Sequence, residues 1–254
     1  MNSDVGVKKM SWLNCGVTTQ AIWPKDKKEV KYSNHTFVLM PLTKDHSASI
    51  HLELRGIDNV QGLTLINRFL STLGWKCDEP AINHYGWSGN PNPVPVPRYR
   101  IPYGYSPSDV FPDEVYEITD KKAKLAVALY REARSLDSIP FQFLGYFKIL
   151  NIFWNDKTNN GKNELVEGIR TSLPDLTEND CVKRIREIKA KEGDPADYLY
   201  KSGRCAVAHA FADPIVDPDD VTDLRRLSED IWLMRNLTAY LIEREFGIEQ
   251  SIWN

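Results

Sequence analysis

The sequence lacks the features that mark several large classes of protein. Its 254 residues carry 32 lysines and arginines against 35 aspartates and glutamates, so the net charge of −3 excludes a generally basic nucleic-acid-binding surface. No apolar run approaches the ~20 residues that a membrane-spanning helix needs, and residues 1–9 lack the apolar core of a signal peptide. We therefore predict a cytoplasmic protein without a membrane partner.

Cysteine is also scarce. The four cysteines, at positions 15, 77, 181 and 205, form no C-x-x-C pair, and in a cytosolic protein they are most simply reduced thiols. Their spacing does not suit a zinc cluster. The acidic loop with Asp213, Asp217, Asp219 and Asp220 lacks the glycine and final glutamate of an EF-hand, so it predicts helix capping by Asp220 or Thr222. No metal or cofactor is predicted.

The hydrophobic pattern changes near residue 110, and this change predicts an α+β protein. Before it, a strand is predicted at 17–23, a hairpin at 29–42, a half-buried strand at 49–55 and a helix at 59–73. After it, helices are predicted at 122–136, 141–154, 161–170, 178–192, 195–211 and 224–246. A small β-rich N-terminal domain, residues 1–112, thus precedes an all-α bundle, residues 113–254.

Residues 85–108 hold six prolines, which exclude a regular helix or a central strand there. One interpretation is a linker or an ordered surface loop. The other is a clamp over a ligand, with stacking faces supplied by Trp87, Tyr99, Tyr103 and Tyr105.

Arg204 and His209 carry the chemistry most suited to a reaction at phosphate. Arginine is a permanent cation that matches phosphate oxygens, and histidine exchanges a proton near neutral pH. A phosphodiester transesterification needs both functions. On an ideal helix, however, side chains five residues apart point ~140° away from each other. They would converge if the helix is distorted, or if two protomers contribute one copy each. The alternative is a structural arginine and a histidine at a helix end.

The pattern Leu199-Tyr200-x-x-Gly203-Arg204-x4-His209 resembles the signature of the HEPN superfamily. Residues 126–133 and 141–150 resemble the first helices of its ApeA-like group. Most of the chain also resembles proteins labelled methylamine-utilisation MauJ, through residues 70–75, 87–89 and 206–220.

The HEPN resemblance implies an all-α bundle that forms a homodimer. It also implies that the protein is a metal-independent endoribonuclease, often a toxin or antiviral effector. It implies that Arg204 binds the scissile phosphate and that His209 moves the proton, at a composite site at the dimer interface. RNA would be the substrate, and an antitoxin or trigger protein a further partner. The family often has Asn, Asp or His where this chain has Cys205, and a thiol is a weak donor. A catalytically silent binding or dimerisation module is therefore the first alternative, and an accessory factor in amine metabolism is the second.

Other residues carry weaker hypotheses. A basic stretch that includes Lys183, Arg184 and Arg186 predicts an RNA-binding surface, or else a solvated helix face. Cys205 and His209, four residues apart on a helix, suit either a thiolate–imidazole nucleophile or simple packing. Two further groups are the histidines at positions 46 and 51, for which nothing predicts ligand binding, and a possible pocket formed by Asp78, Glu79 and His84.

Overall fold

The computed structural model describes residues 11–99, 104–154, 161–209 and 216–251. Contacts divide the chain into two compact units. The first comprises the described residues up to Ile118 together with Ser251, and the second comprises Thr119–Gln250. Residues 113–115 belong to the first unit because they pair with strand residue Lys31 through its amide and carbonyl groups.

The first unit is built on an antiparallel sheet with one helix, as predicted for the β-rich part of an α+β chain. The five strands of this sheet lie in the order β3-β4-β5-β1-β6, and β2 and β7 form a separate parallel pair. The strands are β1 (Trp12–Thr19), β2 (Ile22–Pro24), β3 (Lys28–Tyr32), β4 (His35–Met40), β5 (Ser49–Glu53), β6 (Ala81–Asn90) and β7 (Ser106–Ser108). Helix α1 (Asn59–Cys77) packs on one face of the sheet.

The hairpin predicted at residues 29–42 is confirmed by β3 and β4, whose turn holds Ser33 and Asn34 in the left-handed region. The single strand predicted at 17–23 is wrong, because the chain turns between β1 and β2. The Thr19 hydroxyl stabilises this turn by accepting a hydrogen bond from the Ala21 amide at 2.9 Å and donating one to the Pro80 carbonyl at 2.7 Å. The contact between Thr19 and Pro80 joins distant segments, so the residue pattern of a short stretch does not predict it.

Strand β5 corrects a second prediction. The alternation at residues 49–55 predicts one solvent-facing side, but His51 is fully buried. The strand lies between β4 and β1, and the proline-rich segment covers the face that carries His51. The amide of Val94 donates to Asn14 Oδ1 at 2.9 Å, beside His51. The proline-rich segment is therefore a cover for the sheet, and it follows the edge strand β6.

His51 is held in the neutral form by this cover. The Asn14 Oδ1 atom can only accept a hydrogen bond, so His51 Nδ1 is the donor in their 2.9 Å contact. His51 Nε2 then carries no proton and accepts from the Ser49 hydroxyl at 2.9 Å. Burial, assisted by the charge of Lys27, lowers the pKa of His51 from 6.5 to about 4. The unfolded chain therefore binds this proton more tightly than the folded chain does.

We expect the first unit to lose stability as the pH falls from about 6.5 to 4. A difference of 2.5 pKa units corresponds to about 3 kcal/mol, lost once the pH is below 4. The measurement is urea unfolding at pH 7 and pH 5, followed by pulsed hydrogen exchange at one fixed pH and read on β1 and β5. The variant His51→Gln should show a smaller pH dependence, whereas His46→Gln, at an exposed position, should match the wild type. Equal slopes for all three proteins would contradict the assignment.

The second unit is helical, which completes the predicted α+β fold class. Its elements are α2 (Lys121–Arg134), α3 (Ile139–Phe153), α4 (Gly161–Ser172), a 3-10 turn (Leu173–Asp175), α5 (Asn179–Glu192), α6 (Pro195–Tyr198), a π-helix (Leu199–Cys205), α7 (Ala206–Ala208) and α8 (Val221–Phe246). Helix α3 is the apolar centre and packs against α2 and α8. None of the helices in the described ranges combines the length and apolar character needed to traverse a bilayer.

The ends of α8 confirm the predicted cap at Asp220 and the predicted end of the helix at residue 246. Asp220 caps the N-terminus by accepting a hydrogen bond from the Thr222 amide at 2.7 Å. Gly247 ends the helix with φ of 64°, a conformation that glycine adopts at little cost.

Candidate functional site

The helix predicted at residues 195–211 is interrupted, and this interruption shapes the site. It begins as predicted at Pro195, where the Asp194 carboxylate accepts from the Ala196 amide at 3.0 Å. It then widens into the π-helix, in which the Ala206 amide donates to the carbonyl of Lys201, five residues earlier. A regular α-helix to residue 211 is therefore wrong, because α7 ends at Ala208. Phe211 lies outside the described residues.

The π-helix packs closely against α3 at Gly203. A Cβ atom on this residue would overlap the ring of Phe143, which is fully buried. Phe143 is therefore accommodated only because position 203 has no side chain. Such widened turns are rare in helices and frequent at functional sites.

The distortion brings Arg204 and His209 together within one chain. Arg204 Nη1 lies 3.4 Å from His209 Nε2, and both side chains are half-buried. A guanidinium has only donors, so this contact requires an unprotonated Nε2 with the ring proton on Nδ1. Of the two routes to convergence that the sequence allows, helix distortion is the one seen. A phosphate oxygen bound by Arg204 would lie next to a nitrogen able to accept a proton.

An aromatic ring and a second cation complete the site. The Tyr200 ring lies 5.6 Å from the Arg204 guanidinium carbon and 5.2 Å from Lys162 Nζ, both measured to its centroid. Phe147 contacts the same ring edge to face, with centroids 6.1 Å apart. Two cations beside one ring form a surface on which an anion and a flat base are both favoured.

Cys205 and His209 do not share the regular helix face that their spacing of four residues would give. The backbone at His209 is extended, with φ of −130° and ψ of 117°, so the helix has ended before the imidazole. The thiol sulfur instead lies 3.7 Å from Arg204 Nη1. The Cys205 sulfur and His209 Nε2 therefore lie against the same nitrogen of Arg204.

We expect Gly203→Ala to destabilise the helical unit by about 1–3 kcal/mol, the usual cost of overpacking. The added methyl group would displace the Phe143 ring or the π-helix that carries Arg204. Thermal unfolding would measure the loss, and the second change Phe143→Leu should recover part of it. Gly193→Ala is the contrasting variant. A Cβ atom at position 193 would meet open space, so any loss of stability there comes from the positive φ and not from overlap. An unperturbed Gly203→Ala variant would show that the close contact is unimportant.

The three basic residues predicted to bind RNA have different surroundings on α5. Lys183 is 76% exposed and lies 3.9 Å from Glu187. The side chain of Arg184 is only 17% exposed and binds Asp230, which is fully buried. Arg186 lines a cavity on another side of α5. Arg184 therefore has a structural contact in this chain.

Asp230 is the centre of a buried network that connects α5, α6 and α8. Its Oδ1 accepts from Arg184 Nε at 2.9 Å and Nη2 at 2.8 Å, and its Oδ2 accepts from the Tyr198 hydroxyl at 2.8 Å. Burial raises the pKa of Asp230, while Arg184 and Tyr198 act in the opposite direction. Because Tyr198 directly precedes the π-helix, this network anchors the segment that positions Arg204.

The remaining sequence candidates lie elsewhere. Asp78 ends α1, and His84 contacts the Thr18 hydroxyl at 2.6 Å and the Tyr99 ring edge to face. His46 pairs with Pro97, and Asp217 accepts a hydrogen bond from Asp219. Within the described ranges, no three His, Cys, Asp or Glu residues are grouped as a metal site would require. Tyr103 and Asp213 lie outside those ranges.

Sequence reasoning missed Lys162, the contact of Tyr200 with two cations, and Asp230. Lys162 is 42 positions before Arg204, so no local motif joins them. Tyr200 belongs to the quoted motif and lies four residues before Arg204. This spacing, which places two side chains on one face of a helix, could have predicted their contact.

One family model matches residues 126–243, and its description is "Methylamine utilization protein MauJ". The match covers a little under half of the chain, lies within the helical unit and includes both Arg204 and His209. The resemblance to MauJ proteins is thus supported over this segment, whereas residues 70–75 and 87–89 lie outside it. No curated protein and no solved structure matches the chain.

Proposed function

We propose that this protein is an endoribonuclease of the HEPN type that cuts RNA by attack of a ribose 2′-hydroxyl on the adjacent phosphate. The observation that carries the proposal is the 3.4 Å contact between Arg204 Nη1 and His209 Nε2. It sets a phosphate-binding cation beside a proton acceptor, and the sequence pattern around the two residues resembles the HEPN signature.

The chemistry follows from these two groups. His209 Nε2 removes the proton from the 2′-hydroxyl, whose oxygen then forms a bond to phosphorus. Arg204 binds the non-bridging oxygens as their negative charge increases. The bond from phosphorus to the 5′-oxygen breaks, and that oxygen takes a proton. The products are a 2′,3′-cyclic phosphate and a 5′-hydroxyl end.

A second copy of the chain has a defined part in this scheme. The attacking 2′-oxygen and the leaving 5′-oxygen lie on opposite sides of the phosphorus, so one imidazole does not reach both. The His209 of one protomer then accepts the 2′-hydroxyl proton as general base, and the His209 of the other protomer, as general acid, donates the proton that the 5′-oxygen takes. We place the reaction at a cleft between two protomers for this reason. Lys162 and Tyr200 then serve to hold phosphate and base. A role as a toxin or antiviral effector is the biological setting we propose.

The test is incubation of tRNA, rRNA and mRNA with the purified full chain in the presence of EDTA, followed by mapping of the end groups. We expect cyclic-phosphate ends at selected positions. Once a site is mapped, an oligonucleotide with a single 2′-deoxy substitution there should resist cleavage. Light scattering on the same sample should show a dimer. Products with 3′-hydroxyl ends, or cleavage of the deoxy substrate, would contradict the mechanism.

The family description favours methylamine utilisation as a second candidate. A strain that lacks the protein would then fail to grow on methylamine while the purified chain cleaves no RNA. RNA bound without cleavage would favour the silent binding module.

A further inference from the structure

A cleft on the helical unit, separate from Arg204 and His209, has the composition of a ligand site. It has a volume of about 590 Å³ and lies between α5, the 3-10 turn and the start of α6. Ligand pockets for small molecules usually measure ~300–1,000 Å³. Its apolar wall is entirely aliphatic, with Leu173, Leu176, Val182 and Ile185 as the main side chains.

Helix α5 has two different faces, and the cleft uses the second. Cys181 and Ile188 are buried, and Arg184, which shares their face, binds Asp230 of α8. Val182, Ile185, Arg186 and Lys189 follow the helical spacing of three, four and seven residues, so they share the other face. Val182 and Ile185 are only half-buried. The apolar part of this face therefore lines an accessible space rather than the core.

The charges of the cleft are not balanced. Arg170 is bound to Glu167 and Asp194 at one end. Arg186 and Lys189 line the same cleft, and in the part of the chain that the structure describes neither has an ion-pair partner. Two cations on a wall of aliphatic side chains favour a ligand with a negative head group and an apolar body.

The lining also distinguishes among anionic ligands. None of the described residues around the cleft is aromatic, so a nucleobase would have no ring on which to stack. An alkyl chain gains from burial against leucine, valine and isoleucine without any directional contact.

We infer that this cleft binds a small amphiphile, an alkyl chain that carries one anionic head group, with the head between Arg186 and Lys189. The inference is independent of RNA cleavage, since neither Arg204 nor His209 lines the cleft.

The experiment is calorimetric titration of the full chain with decanoate below its micelle concentration. Acetate tests the need for the chain, decan-1-ol and decyltrimethylammonium test the need for the negative charge, and decyl phosphate compares head groups. We expect one decanoate per protein, with weaker binding of the alcohol and the cation and no binding of acetate.

Two double variants make the test specific. Arg186→Gln with Lys189→Gln removes the proposed head-group contacts and should weaken decanoate binding about tenfold or more. Lys183→Gln with Lys191→Gln removes the same charge from the same helix at positions 76% and 80% exposed, and should change affinity less than twofold. Val182→Phe, which fills the cleft, should also weaken binding. Circular dichroism would verify that each variant is folded.

Three results would overturn the inference. They are the absence of saturable decanoate binding to the wild type, equal weakening in the two double variants, and binding that survives both Val182→Phe and the Arg186 and Lys189 changes. Decanoate and decyl phosphate address the same site, and their relative affinity identifies the preferred head group.

Discussion

We expect His209→Ala to lower the rate of RNA cleavage by about 10²–10⁴-fold, the usual contribution of a positioned acid or base. Arg204→Ala should lower it by about 10²–10³-fold, because charge on the phosphate oxygens would no longer be stabilised. Arg204→Lys keeps the charge but not the planar pair of donors, so it should restore only part of the activity. Initial rates on one mapped RNA substrate measure all three effects.

The controls separate chemistry from folding. His46→Ala and Arg55→Ala remove exposed residues of the same types from the first unit and should leave the rate unchanged. Light scattering and circular dichroism should show that every variant keeps the molar mass and helix content of the wild type. Full activity in Arg204→Ala or His209→Ala would remove these residues from the mechanism and direct attention to contamination or another site.

We expect Asp230→Ala to lower the free energy of unfolding of the helical unit by about 3–5 kcal/mol, the usual cost of breaking a buried ion pair. The carboxylate is fully buried and accepts from Arg184 and Tyr198, so its removal leaves a largely buried guanidinium without its main partner. Urea unfolding with pulsed hydrogen exchange, read on peptides from α5 and α8, measures this loss within the whole chain.

Glu229→Ala is the matched control. Glu229 also binds Arg184, at 2.9 Å, but its side chain is 62% exposed, so its removal should cost no more than about 1 kcal/mol. The double variant Arg184→Met with Asp230→Leu should be more stable than Asp230→Ala, because no charge remains buried. A loss for Asp230→Ala as small as that for Glu229→Ala would show that the network does not stabilise the unit.

The Asp230 network is connected to the site through the backbone that follows Tyr198. Tyr198 binds Asp230 and is followed at once by the π-helix that ends at Cys205, next to Arg204. Asp230 variants should therefore lower RNA cleavage through position rather than chemistry. Such variants change the fraction of folded protein, and activity per folded molecule is the quantity to compare.

Local sequence signals predicted most of the fold because they act over a few residues. The helical spacing of apolar residues identified α1, α3, α5 and α8. The predicted helix start at residue 195 and helix end at residue 246 match the structure. Residue type and the HEPN-like pattern also singled out Arg204 and His209 as candidates, with a structural pair as the alternative. Each of these depends on backbone geometry or side-chain chemistry that a short segment already contains.

The tertiary structure alone decided the surroundings of those residues. Phe143 packs closely on Gly203 across 60 positions of the chain, and Arg204 and His209 meet where the backbone has left regular helix geometry. Arg184 belongs to a basic stretch that fits an RNA-binding surface or a solvated helix face, but it makes a structural contact because Asp230 is buried beside it. His51, on an alternating strand, becomes buried because the proline-rich segment returns over the sheet. Contacts between distant segments set burial and direction, and a local pattern contains neither.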